Sequence, residues 1–140
     1  MRYLLSLWLL FSLPVFADSV VITNVSTGMK DKLTVKEARE IFLLQKTYSP
    51  AGVPYKLYLL PEDSIGMREF ISKTLQLSPS SYFDTINSYK AVGKLREPIP
   101  TVSSTRMIIL VGITNGGIGF TLSPELTYSL KTIKTVEVVE

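Results

Sequence analysis

Helix-start signals alternate with short β-branched runs along this chain, and that alternation restricts the fold more than any composition figure does. Thr34 precedes Val35, Ala38, Ile41 and Phe42, which share one helix face, and Glu37 completes a capping box three residues after Thr34. Glu62-Asp63-Ser64 is rich in capping residues and leads into a looser apolar stripe of Ile65, Phe70, Ile71 and Leu75. Ser78-Pro79 sets a cap before a proline at the first helical position, followed by Tyr82, Phe83, Ile86 and Tyr89 at helical spacing. Ser103-Ser104 caps the stretch Met107 to Ile113, which exits through Asn115-Gly116-Gly117.

Between these helices lie runs with strand character: Ser19 to Thr23, Tyr55 to Leu60, Ile118 to Leu122 and Val136 to Val139. Asn24 to Lys32 reads as a polar loop, and Ser123-Pro124-Glu125 as a brief helical turn. Strands alternating with helices predict an α/β domain, with a mixed, mostly parallel sheet of about four to five strands flanked by helices.

Much of the chain's apolar weight sits at its start. Of the 140 residues, Met1 to Ala17 carry one charge, Arg2, and Tyr3 to Leu13 is interrupted only by Ser6 and Ser12. Pro14 breaks the run, and Val15 and Ala17 stand at the −3 and −1 positions before Asp18. This is the three-part pattern of a secretory signal peptide, and the run is short of the roughly 20 apolar residues that a membrane anchor needs. The expectation is a signal peptide over residues 1–17 and one exported domain over residues 18–140, periplasmic or secreted. With no cysteine in the chain, neither a lipid anchor nor a disulfide is available, and the core must hold the fold alone.

The absence of histidine and cysteine also removes the usual zinc ligands, the activated thiol and the imidazole base. Glu62 and Asp63 are adjacent carboxylates, and neighbours in sequence do not share a helix face for acid–base work. The chain is therefore expected to be non-enzymatic, with no metal and no cofactor. Its basic residues form no long run, and the net charge of +3 falls to +2 once Arg2 is removed, so nucleic acid is not expected as a partner.

In open α/β sheets ligands gather beyond the carboxyl ends of strands, beside helix N-termini whose free N–H groups suit an anion. Three segments place polar or small residues at such points: Asn24 to Gly28, Asp63 to Arg68, and Thr101 to Thr105. In the second, Ser64 offers a hydroxyl, Gly66 lets a ligand approach the backbone, and Arg68 offers a charge-assisted fork. The alternative is purely structural: Asp63 or Ser64 caps a helix, Gly66 eases packing, and Arg68 pairs with Glu62 or Glu69 in solvent. Ser103 and Ser104 are likewise what ordinary caps look like.

The order of motifs resembles that of phosphate-type periplasmic solute-binding proteins, of the type II periplasmic-binding-protein-like superfamily. Leu33-Thr34-Val35-Lys36-Glu37-Ala38-Arg39-Glu40-Ile41-Phe42-Leu43 is similar to that family's helix ending in Ile-Phe. Ile65-Gly66-Met67-Arg68 holds the place of its Ser-Gly-Thr-Arg anion loop, with Ile65 and Met67 replacing the hydroxyl residues. Val102-Ser103-Ser104 and Asn115-Gly116-Gly117-Ile118-Gly119-Phe120 are similar to its closing motifs. The match spans about half of a two-lobed binding protein, so the resemblance implies a short single-lobe relative. It implies that a small oxyanion such as phosphate is bound by Ser64, Gly66 and Arg68, then by Ser103 and Ser104, and last by Asn24 and Ser26. Self-association or a partner lobe would close the cleft over the anion, and the missing lobe and the two lost hydroxyls imply a second possibility, an interaction module without a ligand that serves an envelope sensor, porin or transporter.

Overall fold

The computed structural model describes residues 19–122 and 131–140. Strand β1 covers Val20–Asn24, and a 3-10 turn follows at Val25–Thr27. Strand β2 is Lys32–Thr34, helix α1 Val35–Phe42 and strand β3 Lys56–Leu57. Helix α2 starts at Ile65–Glu69 and widens without a break into a π turn over Phe70–Thr74. Helices α3, Pro79–Ala91, and α4, Ser104–Ile113, lead to strands β4, Gly117–Thr121, and β5, Ile133–Val139. The predicted leader over residues 1–17 and the turn over residues 123–125 lie outside the described residues.

All four predicted helix starts are caps. Thr34 Oγ1 accepts from Glu37 N at 3.1 Å, and the Glu37 carboxylate accepts in return from Thr34 N. Ser64, Ser78 and Ser103 each accept from the N–H three residues on. The helical stripe after Ser64 is shifted, however. Ile65 is 75% exposed, and the buried series is Met67, Phe70, Ile71, Thr74 and Leu75, because Ile65 sits at the first helical position on the molecule's rim.

The five strands form one sheet in the order β2-β5-β1-β4-β3. β2 runs parallel to β5 and β3 parallel to β4, while β1 is antiparallel to both of its neighbours. Four strands therefore share a direction and the central one opposes them, which makes the sheet mixed as expected. β2 begins at Lys32, the last residue of what reads as a polar loop, and runs into the Thr34 cap; three residues are too few for alternation to register, and its pairing with Glu137–Val139 supplies the stability. The expected strand Tyr55 to Leu60 shortens to Lys56–Leu57 between Pro54 and Pro61. Its pairing nevertheless continues: Leu59 donates to Pro100 O at 3.0 Å and accepts from Val102 N at 2.8 Å.

β4 is buried along its whole length, and its sequence Gly-Ile-Gly-Phe-Thr shows how two layers meet on it. Gly117 and Gly119 face α4. A Cβ on Gly119 would lie 2.7 Å from Met107 Sδ, so the helix packs directly on the strand backbone. Phe120, which alternates with them, stacks on Phe70 with centroids 3.8 Å apart, and Phe42 meets Phe70 edge-on at 4.8 Å. Tyr82 closes this cluster, donating its hydroxyl to Phe42 O at 3.0 Å.

Candidate functional site

Because β3 and β4 are parallel, their carboxyl ends reach the same edge of the sheet. The chain leaving β3 passes through Leu60 and Pro61 to the Ser64 cap of α2. The pairing of Leu59 with Val102 then places the Ser103 cap of α4 beside it. A pocket of about 400 Å³ opens between these two helix beginnings and the end of β4. Ser64 and Gly66 line it from α2, and Ser103, Ser104, Thr105 and Ile108 from α4. Leu60 and Pro61, with Phe120, Thr121 and Leu122 at the exit of β4, complete it.

Each cap fixes its own helix start. Ser64 Oγ accepts from Met67 N at 3.3 Å and donates to Pro61 O at 2.7 Å, so its proton is committed to the chain. Ser103 Oγ accepts from Arg106 N at 3.3 Å. The first-turn N–H groups of Ile65, Gly66, Ser104 and Thr105 have no carbonyl within their own helices to bond. Neither α2 nor α4 carries an acidic residue in its first turn, whereas α1 carries Glu37 there, so the positive ends of both dipoles at the pocket are uncompensated from within their helices.

Four of the seven residues named from sequence, Ser64, Gly66, Ser103 and Ser104, thus meet on one pocket. Arg68 is exposed and stands outside the lining, one turn into α2. No charged side chain lines the pocket among the described residues. Gly66 makes room for the protein itself: a Cβ there would meet Leu60 Cδ1 at 2.9 Å and Leu122 Cδ1 at 3.7 Å, so its bareness lets those two leucines close the wall.

Asn24 and Ser26 lie elsewhere. β1 opposes β4, pairing Val20 with Thr121 and Thr23 with Ile118, so the carboxyl end of β1 is at the far edge of the sheet from the pocket. The rule of carboxyl-end sites misplaces this segment because β1 runs against the other strands. Asn24 Nδ2 donates to Val111 O and Gly112 O at 2.9 and 3.1 Å, capping the last turn of α4, and its Oδ1 accepts from Ser26 N. Ser26 Oγ accepts from Gly116 N at 2.9 Å. These groups hold the fold together.

Sequence reasoning missed the apolar part of the lining: Leu60, Ile108, Phe120 and Leu122. Each reads as ordinary core, and Leu60, Ile108 and Phe120 are core, at 9%, 5% and 1% exposure; they border the pocket because the parallel strands β3 and β4 end beside it. Among the described residues no cluster of three or more acidic, histidine or cysteine side chains could hold a metal, and no helix is long and apolar enough to cross a membrane. What the arrangement offers chemically is the hydroxyl and N–H groups of two helix beginnings beside the partly exposed Leu122 and the exposed Pro61. No protein-family model, curated protein or solved structure matches the chain.

Proposed function

We propose that this chain is an exported, non-enzymatic solute-binding module that takes a small oxyanion in the pocket between α2 and α4, in the manner of one lobe of a phosphate-type solute-binding protein. The observation that carries the reading is that the Ser64–Gly66 and Ser103–Thr105 helix beginnings line one space. Two helix beginnings without an acidic residue in their own first turns, and a set of hydroxyls, favour negative charge there. Arg68 acts at a distance at most, so the anion is held by N–H and hydroxyl groups and stays partly hydrated. A loose complex follows, which a second copy or a separate lobe would tighten by covering the open side. Titration calorimetry of the purified protein with phosphate and sulfate tests this, with Arg68→Ala expected to bind almost as well as the parent. No heat from any small oxyanion at millimolar concentration rejects the reading.

A second reading has its own support. The absence of charge from the lining among the described residues, and the exposed Ile65 beside it, suit a surface that recognises an envelope protein and has lost its solute. Crosslinking in the cell envelope separates the two. A stable protein partner favours the interaction module, while anion-dependent thermal stabilisation with no partner rejects it.

A further inference from the structure

The turn that leaves α4 through Asn115-Gly116 takes no part in the pocket. Thr114 O accepts from Gly117 N at 3.0 Å and Gly116 has a φ of 79°, so residues 114–117 form a type II turn with glycine at its third position. A Cβ on Gly116 would run into Pro54 O, so the fold itself demands glycine there. Asn115 before it is exposed. The two together are the pair in which asparagine most readily loses its amide, because a glycine nitrogen carries no side chain to hinder attack on the preceding Cγ.

We infer that Asn115-Gly116 is a latent self-modification site, an asparagine that deamidates through a succinimide, and that the Ser26 hydroxyl holds it shut in the folded protein. The inference is independent of the anion reading. In the reaction Gly116 N gives its proton to hydroxide and bonds to Asn115 Cγ, and the amide nitrogen takes up a proton and leaves as ammonia. Water then opens the ring at either carbonyl, giving aspartate or isoaspartate. Nothing is oxidised or reduced.

Two contacts oppose the first step. Gly116 N donates to Ser26 Oγ at 2.9 Å, a bond to the neutral amide that makes its proton harder to remove. Ser26 is itself held, its N–H donating to Asn24 Oδ1 at 3.0 Å while the Asn24 amide grips the last turn of α4. Gly116 O accepts from Lys56 N at 2.9 Å, so the glycine is tied to β3 as well, and its nitrogen reaches Cγ only when this seam opens locally. The product places a carboxylate at the negative end of the α4 dipole, which disfavours reclosing.

The test incubates the purified full chain at mildly alkaline pH and follows conversion of Asn115 by peptide mapping. The samples are the folded parent, the parent unfolded in urea, Ser26→Ala and Ser103→Ala. The unfolded chain should convert about tenfold faster than the folded parent or more, since its seam is always open. Ser26→Ala should convert about fivefold faster than the parent, the factor that losing one ordinary hydrogen bond allows. Ser103→Ala weakens the fold at the opposite edge of the sheet and should keep the parent's rate. Equal acceleration in the two variants overturns the inference, because the bond then ages through global unfolding and Ser26 has no hold of its own. A Ser26→Ala rate equal to the parent's overturns it too, as does a folded parent that converts as fast as the unfolded chain, or an unfolded chain that keeps Asn115 intact. Hydrogen exchange on the parent needs no variant: the Gly116 N–H should be protected, and free exchange there rejects the Ser26 latch.

Discussion

Asn24 Nδ2 donates to the carbonyl oxygen of Val111 at 2.9 Å, tying the carboxyl end of β1 to the last turn of α4. The same amide reaches Gly112 O, and the residue is only 7% exposed. Asn24→Ala leaves two helix-end carbonyls without this donor in a place water enters poorly. The expected cost is about 1–3 kcal/mol of stability, read as a lower urea midpoint with an unchanged slope. Ligand affinity should not move, because the pocket lies at the opposite edge of the sheet. A loss of affinity without loss of stability would put Asn24 back among the binding residues.

The contact between Gly119 and Met107 sets a second expectation. An added Cβ would lie 2.7 Å from Met107 Sδ and 3.0 Å from Met107 Cγ, so Gly119→Ala forces the thioether aside or lifts α4 from the strand. Overpacking of this kind costs about 1–3 kcal/mol. Combining Gly119→Ala with Met107→Ala should cost less than the sum of the two single changes, since the second removes the atoms that the first strikes. Strict additivity in denaturation curves would show that α4 moves as a body.

Two phenols make stability fall at high pH. Burial, and secondarily the Glu37 carboxylate, push Tyr55 up to about 12, and burial raises Tyr82 as well. A phenol whose folded pKa is raised binds its proton more tightly in the native state than in the unfolded one. Its contribution is therefore complete below the unfolded value of about 10 and is lost as pH climbs toward the folded value. Stability measured against pH should be insensitive to these two groups below about pH 10 and decline above it. Tyr55→Phe should lessen the decline, and a slope identical to the parent's would remove Tyr55 from the account.

How much of this was legible in the sequence follows from the range of the interactions. Caps are local: Thr34 with Glu37, Ser64 with Met67 and Ser78 with Ser81 are three residues apart, and each was readable. Strand direction is not local. Nothing within Val20–Asn24 says that it will pair antiparallel with residues about a hundred positions away, and that pairing carries Asn24 and Ser26 from the supposed site to the far edge. The pocket divides the same way. Its hydroxyls stood out because serine before an apolar run is a local sign. Phe120 and Ile108 did not, because they are core residues that border the pocket only through the placement of the strand and helix that carry them. Gly66 was visible as a glycine, but its reason, the approach of Leu60 and Leu122, is tertiary.

Ser103 holds a helix and faces the pocket, so a single substitution must be chosen to separate the two roles. Ser103→Ala removes the acceptor for Arg106 N and should cost about 1 kcal/mol of stability, whereas glycine at a cap costs only a few tenths. Ser103→Gly therefore keeps α4 nearly intact and deletes the hydroxyl. If that hydroxyl donates to a bound anion, the loss is a hydrogen bond to a charged group, about 1.5–3 kcal/mol, and oxyanion affinity should fall at least tenfold with little change in melting temperature. Affinity that follows stability, weaker in Ser103→Ala and unchanged in Ser103→Gly, would mean that the backbone N–H groups of Ser104 and Thr105 meet the anion and Ser103 merely aims them. Calorimetry and thermal melts on the same two variants decide it.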